Sequence, residues 1–339
     1  MKRHILLILL LNATVLTTCT KHEHQPMILR LGDGSLSKTN LPKRFRTTHD
    51  KPKEVTDAKI LQGLDTVNAS GSAQFLTDTL PPMITELHKI AGQKAIDITI
   101  VDLRMESHCF INGVAYFWYE QPHDDLIYAG YNVDKTAHEI EHDEATRISH
   151  LKKSKESVKA FYPSKKEDYP NHYDHENYKK FAVETIGNEK DLVTQHGLHY
   201  FRMPILDFHS PSIEQIDAFL AFYRKHHKST WFHFHCAGGA GRTTTLLAFA
   251  DMLKNAKTVD LATIIKRQEL LGGKNIMKVS GSDAKKAIKE KKAQDIQNFY
   301  DYCKENDDDY ATPYSTWLAR KEEPKKSAKT NKITVETIA

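Results

Sequence analysis

A cysteine and an arginine flank five small residues in the segment HCAGGAGRT, residues 235–243. Cys236 is a candidate nucleophile, and the planar guanidinium of Arg242 can bind two oxygens of one phosphate group. Glycines let the intervening loop point its backbone N–H groups at a tetrahedral oxyanion, and the N-terminus of a following helix favours the same anion. That field also favours the thiolate form of the cysteine. The spacing Cys-x5-Arg therefore predicts attack by a thiolate on a phosphate ester.

The neighbouring residues have supporting roles in this interpretation. A hydroxyl that follows the arginine can donate a hydrogen bond to the thiolate and steady it. His235, before the cysteine, and Thr244, after the loop, are predicted to support the site. The alternative is an inert buried cysteine beside a glycine-rich turn. The predicted phosphate-binding loop consists of Ala237, Gly238, Gly239, Ala240, Gly241 and Thr243.

Transfer of a phosphoryl group to sulfur also requires an acid for the leaving oxygen. The best candidate is Asp207, which precedes Cys236 by 29 residues, enough for one loop, one helix and one strand. Parallel strands end at one edge of a sheet, so the two side chains can share one site. The alternative is an ordinary acidic residue before a helix. His209 is a candidate to assist the acid or to bind phosphate.

Strands and helices alternate along the chain and would position these residues. This alternation predicts an α/β fold with a mostly parallel sheet. Apolar or β-branched runs predict strands at 96–104, 113–120, 198–205 and 231–236. Helical periodicity and end signals predict helices at 83–94, 212–226, 243–256, 258–271 and 283–305.

Composition excludes several other classes of protein. With 339 residues, 40% hydrophobic and 27% charged, the chain has a globular composition. The net charge of +4 is small beside 48 basic residues, so the charge does not indicate a nucleic-acid partner. Four cysteines make no disulfide framework. The single long apolar run, at the N-terminus, is too short to span a bilayer, which excludes a polytopic membrane protein.

The first residues have the pattern of an export signal. Lys2 and Arg3 precede an apolar stretch, so residues 1–19 are predicted to be a signal peptide and the protein to be exported, to the periplasm or beyond. Cys19 faintly resembles a lipoprotein cleavage site, so a lipid anchor at this residue is an alternative. No transmembrane span is expected in the mature chain. The polar residues 20–40 predict a flexible arm, and the charged residues 321–339 a disordered tail.

Three groups of segments resemble one known family, the protein-tyrosine-phosphatase-like phytases, which are bacterial cysteine phosphatases of myo-inositol polyphosphates. Residues 102–113 (DLRMESHCFING) are similar to the DLRxESHxFxNG stretch of that family. The acid and cysteine segments together, YFRMPILDFHSPSIEQIDAFLAFYR and WFHFHCAGGAGRTTTLLAFADMLKN, look like its catalytic core. Residues 298–306 and 312–318 resemble its C-terminal helix and closing turn.

The resemblance implies a fold and an activity. The expected fold is a protein-tyrosine-phosphatase-like core with a parallel sheet flanked by helices, over residues 41–320. A small β-barrel-like subdomain would be inserted around residues 114–195. The expected activity removes phosphate from myo-inositol hexakisphosphate and lower inositol polyphosphates through a phosphocysteine intermediate. The family needs no metal, so neither a metal nor another cofactor is expected.

The resemblance also implies basic residues that contact a substrate with several phosphates. Arg46 matches an early substrate-binding arginine of the family, with Arg44 as the alternative, and Arg202 is a further candidate cation. Where the family usually has Asp-His in its acid loop, Phe208 here separates the aspartate from the histidine. An ordinary solvated helix face is the alternative for each late lysine. The candidate lysines of the region before and into the last long helix are Lys274, Lys278, Lys285 and Lys286.

Other functions fit parts of the same sequence. A cysteine phosphatase could instead act on phosphotyrosine proteins or on phosphoinositide lipids, although the loop AGGAG lacks the lysine often found in lipid phosphatases. A noncatalytic phosphate-binding module would need neither a thiolate nor an acid. A separate HExxH pattern, His138, Glu139 and His142, has the spacing of a zinc peptidase. Its polar flanks favour a charged surface helix instead.

Overall fold

The computed structural model describes most of the chain in several stretches. The predicted signal segment 1–19 and the tail beyond residue 322 lie outside the described residues. The described residues are 28–32, 40–52, 54–55, 57–92, 96–119, 132–154, 157–162 and 178–322.

Eleven strands and eight α-helices make up the described secondary structure. The strands are β1 (Ile28–Leu31), β2 (Arg46–Thr47), β3 (Ala69–Ala73), β4 (Asp97–Arg104), β5 (His108–Ile111), β6 (Val114–Tyr119), β7 (Val158–Phe161), β8 (Tyr178–Phe181), β9 (Ile186–Gly187), β10 (His199–Ile205) and β11 (Thr230–Cys236). The helices are α1 (Leu80–Ala91), α2 (Ala137–Ser154), α3 (Glu189–Gln195), α4 (Ile213–His226), α5 (Gly241–Asn255), α6 (Leu261–Leu270), α7 (Asp283–Glu305) and α8 (Tyr314–Glu322).

A five-stranded sheet in the order β10-β4-β11-β3-β2 forms the core. Its first four strands are parallel, and β2 pairs antiparallel with β3 at one edge. β11 lies in the middle and is buried along its whole length, as expected for a strand covered on both faces. The parallel sheet predicted from the alternating elements is therefore confirmed.

Helices cover both faces of this sheet. On one face, Phe219 of α4, Phe249 of α5 and Phe299 of α7 are fully buried in one cluster. The rings of Phe249 and Phe299 stack with centroids 3.9 Å apart, which fixes α7 against α5. On the other face, Leu87 of α1 and Val193 of α3 pack in a cluster that includes strand residues of β4 and β11. All loops at the carboxyl ends of the parallel strands consequently open at one edge.

A second sheet has six strands, in the order β8-β7-β1-β6-β5-β9. Most of it falls in the predicted insertion at 114–195, but β5 begins earlier, at His108. In the described residues β8 and β9 are the two ends of this sheet, and the predicted barrel-like closure is not confirmed. Ile148 of α2 contributes to the core of this second sheet.

Residues 28–31, which we predicted as part of a flexible arm, form β1 in this second sheet. β1 pairs antiparallel with β6 and parallel with β7. Leu29 and Leu31 are each 6% exposed. Burial of these apolar residues therefore stabilises the segment. The polar residues around it in the sequence give no sign of this burial.

The predicted helices and strands of the core are confirmed with small shifts of their ends. The first helix ends as expected at Gly92, whose φ of +81° suits glycine. The helix predicted at 283–305 is observed at Asp283–Glu305. Among the helices in the described ranges, none combines the length and the apolar character that a membrane crossing requires.

Candidate active site

The loop between β11 and α5 is seated tightly on the end of β3. Gly239 has a φ of +67°, and a Cβ atom there would lie 2.2 Å from the backbone nitrogen of Ala73. Only glycine fits this position, because a side chain would collide with backbone atoms. The N–H of Gln74 donates to the carbonyl of Ala237, with 3.3 Å between the atoms. The short glycine-rich sequence thus folds into one closely supported turn.

The thiol of Cys236 lies at the start of this turn, 3% exposed. The Thr243 hydroxyl donates to its Sγ at 3.2 Å, as predicted for a side chain that steadies a thiolate. α5 begins at Gly241, so the free N–H groups of its first turn and its dipole favour an anion at the loop. Thr244 does not share this role: its hydroxyl donates to the carbonyl of Ala240 within the loop.

Two arginines hold the outside of the loop. Arg46 donates to the carbonyl of Gly239 and to the hydroxyl of Thr244, both at 3.0 Å, and Arg44 donates to the carbonyl of Gly238 at 2.6 Å. In a trans peptide the N–H points away from the C=O, so these contacts turn the following amides towards the inside of the loop. The arginines therefore orient the N–H groups that would face a phosphate.

This position differs from our prediction for Arg46. The side chain is 3% exposed, and its two terminal nitrogens donate to the loop rather than to a substrate, while Nε has no hydrogen-bond partner within the described residues. Burial lowers its pKa from 12.5 to about 10. The reason is the placement of β2, whose antiparallel pairing with β3 directs Arg46 under the loop.

Arg242 is held in place by Glu106. Its two terminal nitrogens each lie 2.7 Å from one carboxylate oxygen of Glu106, a bidentate pair. Nη1 also donates to the carbonyl of Ile205 at 3.1 Å. Burial alone would raise the pKa of Glu106, but the charge and hydrogen bonds of Arg242 lower it overall. Glu106 thus fixes the guanidinium, and Nε of Arg242 keeps no hydrogen-bond partner within the described residues.

Asp207 lies beside this guanidinium. Its Oδ1 is 3.3 Å from Nε of Arg242, and its side chain is 37% exposed. The aspartate and the cysteine, 29 residues apart along the chain, are therefore both next to Arg242. The Nδ1 of His209 donates to the backbone carbonyl of Asp207 at 2.8 Å. His209 therefore shapes the turn that carries the acid.

A cluster of buried charged side chains lies where the strands lead into the loop, and we call it the buried floor. His235 lies 2.7 Å, through Nε2, from one oxygen of Glu189, and the other oxygen of Glu189 pairs with Arg104. Asn188 caps the first turn of α3 and so places Glu189 at the helix start. The buried floor consists of Asp102, Arg104, His108, Glu144, Glu189, Arg202 and His235.

Arg202 belongs to this floor and not to the substrate side, where we had considered it. It donates to Glu144 at 2.6 Å and to the carbonyls of Arg104 and Glu106 at 3.0 Å. The side chain is fully buried because it extends from β10 to Glu144 of α2 rather than to the open edge. Its contacts tie β10 to α2 and to the chain at the end of β4.

With this geometry established, comparisons with known proteins agree on one family. Residues 101–254 match the family model of the PTP-like phytases, described by the words inositol hexakisphosphate. The solved PTP-like myo-inositol phosphatase from Mitsuokella multacida, in complex with myo-inositol-(1,3,4,5)-tetrakisphosphate, is 32% identical with a TM-score of 0.73. The match covers 88% of this chain and 50% of that one. The chain is a relative of the PTP-like phytases.

Two further comparisons give a solved structure that shares the fold and a relative that is similar in sequence. A PTP-like phytase from Bdellovibrio bacteriovorus, 24% identical, shares the fold with a TM-score of 0.64, covering 88% of this chain and 96% of that one. The effector protein hopD2 of Pseudomonas syringae pv. tomato is 30% identical over 285 residues, which is 81% of this chain and 56% of the relative. The chain thus spans about half the length of hopD2 and of the Mitsuokella protein.

Among the described residues, two groups of side chains have the types that could ligate a metal ion, and the contacts of both groups argue against a metal centre. Ligand atoms of Asp102, His108 and Glu189 lie within 4.8 Å of one another. The guanidinium of Arg104 contacts all three, so it occupies the position that a cation would need. In the HExxH pattern, Glu139 accepts hydrogen bonds from the N–H and hydroxyl of Thr136.

These contacts make Glu139 a cap for the start of α2. The histidines on either side of it, His138 and His142, are exposed. A catalytic zinc site has three protein ligands and one open position, whereas these two histidines lie on a solvated helix surface and no third ligand gathers with them among the described residues. The geometry favours the surface helix over the peptidase alternative.

The lysines that we singled out lie on the exposed surface before and within α7. Lys274, Lys278 and Lys286 are exposed, and Lys285 is half-buried. Lys286 pairs with Asp283, one turn away, at 3.0 Å. In the described residues these lysines make no contact with the phosphate-binding loop, apart from the backbone N–H of Lys274, which donates to Thr244.

The sequence analysis missed a different lysine on the same helix. Lys292 is 5% exposed and makes no hydrogen bond within the described residues. Burial lowers its pKa from 10.5 to about 8, and its ammonium feels the charges of Asp207, Arg242 and Cys236. The spacing of buried residues along α7 could have predicted this burial. Lys292 precedes the buried Ile296 by one turn and therefore lies on the same inward side of the helix.

Proposed function

We propose that this chain removes phosphate from myo-inositol hexakisphosphate and lower inositol polyphosphates through a phosphocysteine intermediate. The observation that carries the proposal is the junction at Arg242, where a fixed guanidinium meets the thiol of Cys236 and the carboxylate of Asp207. A nucleophile, a phosphate-binding fork and an acid in one site are the parts that this reaction requires. The relative from Mitsuokella, solved with an inositol tetrakisphosphate, supports the choice of substrate.

In the first step, Cys236 Sγ attacks the phosphorus in line with the bond to the leaving inositol oxygen. The S–P bond forms and the P–O bond breaks, while Arg242 and the loop amides bind the equatorial oxygens. Protonated Asp207 gives its proton to the leaving oxygen. The side-chain exposure of 37% leaves this carboxyl open to the substrate side.

In the second step, water hydrolyses the phosphocysteine. The Asp207 carboxylate takes a proton from the attacking water, and the new P–O bond replaces the S–P bond. Inorganic phosphate leaves and the thiolate returns. Thr243, 3.2 Å from Sγ, donates to the sulfur as its negative charge is restored.

The charge of the site supports a substrate with several phosphates. Beyond Arg242, the ammonium of Lys292 is near enough to Asp207, Arg242 and Cys236 to interact with their charges. A polyanion gains from additional cations around the reacting phosphate. The exposed Lys278, Lys285 and Lys286 are proposed to bind more distant phosphates of the same ring, since they lie on the segment that leads to Lys292.

The test is phosphate release from inositol hexakisphosphate, with and without EDTA, by the wild type and by Cys236→Ser. We expect release that survives EDTA and is lost by about 10⁴-fold or more in the variant. Cys303→Ala, at a buried thiol in the helical core, is the matched control and should keep its turnover. Release by the wild type from phosphotyrosine peptides or phosphoinositides alone would move the substrate to those classes. Release that depends on a metal would contradict the cysteine mechanism.

We further propose that the protein is exported. The support is the pattern of basic residues before an apolar run within residues 1–19. Mass spectrometry of the protein isolated from its native host should find the chain starting near residue 20. Acylation at Cys19 would support a lipid anchor, and an intact Met1 would overturn the proposal.

A further inference from the structure

A side-chain hydrogen bond joins the acid turn to α7. The hydroxyl of Ser210, three residues after Asp207, donates to the carboxylate of Asp295 on α7. We propose that Asp295 is a positioning residue: through Ser210 it holds the turn that keeps Asp207 beside the phosphate-binding loop. This inference rests on the proposed function, in which Asp207 is the general acid.

The acid turn is strained at its centre. Phe208 has a φ of +67°, a conformation that costs a residue with a side chain about 1 kcal/mol or more. The bonds inside the turn join backbone groups: the N–H of His209 donates to Leu206, and its ring donates to the carbonyl of Asp207. None of these contacts reaches another helix. A strained turn needs an outside support to stay in one conformation.

The ends of the turn are fixed at its two neighbouring elements. On the strand side, the carbonyl of Ile205 accepts from Arg242. On the helix side, Ser212 and Gln215 form a capping box that starts α4. Between these ends, the Ser210 contact ties the turn to α7, 85 residues away. Asp207 also lies 3.3 Å from Arg242, and Leu206 packs against Met105 and Ile140. α7 is therefore one of the supports that hold Asp207 in place.

The helix is a rigid platform for this contact. Ile296 and Phe299, on the turns that follow Asp295, are fully buried. The Asp295 side chain is itself 17% exposed, and its second oxygen pairs with Lys291, which is 74% exposed. An ion pair with so exposed a lysine contributes little energy. The contact with Ser210 is consequently the one that links this carboxylate to the site.

A second residue of α7, Lys292, also acts on the acid turn. It precedes Asp295 by three residues, so both side chains lie on one side of the helix. Its ammonium acts on Asp207 by charge, while Asp295 accepts a hydrogen bond from the Ser210 hydroxyl of the same turn. One helix thus acts on the acid turn through one hydrogen bond and one charge.

If Asp295 acts through Asp207, its loss should slow cleavage of the P–O bond mainly where the leaving group needs a proton. Phenyl phosphate has a poor leaving group, whereas 4-nitrophenyl phosphate releases a stable anion and needs little acid assistance. The two substrates have nearly the same size, so a general change of the site would affect both. Because kcat/KM covers the steps up to P–O cleavage and excludes hydrolysis of the shared phosphocysteine, the ratio of the two kcat/KM values reports on the acid role of Asp207.

The experiment measures kcat/KM on both substrates for Ser210→Ala and Asp295→Ala. We expect kcat/KM for phenyl phosphate to fall about tenfold and kcat/KM for 4-nitrophenyl phosphate to fall less than about twofold. Asp295→Asn and Ser210→Thr keep the hydrogen bond and should stay near the wild type. Asp301→Ala removes a carboxylate of the same helix, paired with Lys321, and is the matched control.

A double variant separates this role from a structural one. In the Asp207→Asn background, Ser210→Ala should cause no further loss on phenyl phosphate, because the residue that it positions is already absent. Equal losses on both substrates, or a loss that adds to that of Asp207→Asn, would overturn the inference. Cys236-dependent turnover with an unaffected Ser210→Ala variant would overturn the inference alone. Absence of any Cys236-dependent turnover in the wild type would overturn the proposed function with it.

Discussion

The two sides of the phosphate-binding loop are built from the same kinds of residue but are paired differently. In the buried floor, each carboxylate has an arginine or histidine partner, as Glu189 has Arg104 and His235. On the open side, Nε of Arg242 has no hydrogen-bond partner within the described residues, and the ammonium of Lys292 has none either. Pairing in the floor fixes the loop, and incomplete pairing above it leaves donors for a phosphate.

The difference predicts that variants of the two sides lose different properties. An open-side residue that reacts should contribute to turnover and little to stability. A floor residue should contribute to stability first, because it leaves a buried partner unpaired when it is removed.

Among variants of these two sides, the largest effect should come from Asp207→Asn on the open side. The amide cannot protonate the leaving inositol oxygen, so we expect turnover of inositol polyphosphates to fall about 10³-fold. The half-exposed carboxylate contacts Arg242 at 3.3 Å through one oxygen, so the melting temperature should stay nearly unchanged. Steady-state kinetics and thermal unfolding of the same preparation check both statements. A normal turnover, or a loss explained by unfolding, would contradict the assignment of the acid.

The next effect should come from Glu189→Gln in the floor. This change removes the negative charge that Arg104 and His235 share, and we expect a loss of about 3 kcal/mol in the free energy of unfolding. Urea unfolding measures it. Glu184→Gln, an exposed glutamate near α3, is the control and should stay within about 0.5 kcal/mol. If Glu189→Gln lost turnover but kept its stability, the floor would belong to the chemistry after all.

Acid should weaken the same floor. Burial alone would raise the pKa values of Asp102, Glu144 and Glu189, but their basic partners hold all three below the ordinary 3.8 or 4.5. As pH falls, the unfolded chain therefore takes up protons before the folded one, so the stability is present above about pH 4.5 and is lost below it. Urea unfolding between about pH 6 and about pH 3 should show this fall, with a shallower slope in Glu189→Gln. Stability that rises towards low pH would contradict it.

Lys292 should show the opposite balance, with a smaller effect. Since its pKa falls from 10.5 to about 8, the folded protein disfavours its charge, and Lys292→Met should be more stable by about 2 kcal/mol at neutral pH. The wild type should gain stability as the pH rises from about 8 towards 10.5, and the variant should not. Loss of the cation should raise the KM for inositol hexakisphosphate about tenfold. Lys291→Met, at an exposed neighbour, is the control for helix charge.

These predictions use contacts that the sequence reveals unevenly. The loop, the nucleophile, the arginine and the acid follow from local spacing, because each lies where a strand ends or a helix begins. The partners of those residues do not: Glu106 is 136 residues from Arg242, and Glu189 is 46 residues from His235. Such pairs depend on the register of two sheets, and local patterns carry no information on that register.

The predicted roles of Arg46 and Arg202 differ from their positions in the structure for the same reason. Arg46 was identified as a substrate contact from its place in the family pattern, whereas its direction depends on a two-residue strand paired with β3. Arg202 lies on β10, but its partner Glu144 lies on α2, 58 residues away along the chain. By contrast, the inward position of Lys292 follows from helical periodicity and could have been predicted, since α7 begins and ends where the sequence indicates.

The smallest effect should come from variants of the exposed side of α2, which belongs neither to the buried floor nor to the open side of the phosphate-binding loop. His138 and His142 lie one turn apart on the exposed side of α2, and Glu139 between them caps Thr136. Because neither imidazole contacts the floor or the loop among the described residues, His138→Ala with His142→Ala should change stability by less than about 0.5 kcal/mol. Phosphate release should be unaffected with or without EDTA. A loss of turnover in this double variant would mean that the HExxH helix communicates with the loop, and the division of the site into a fixed floor and an open face would then be incomplete.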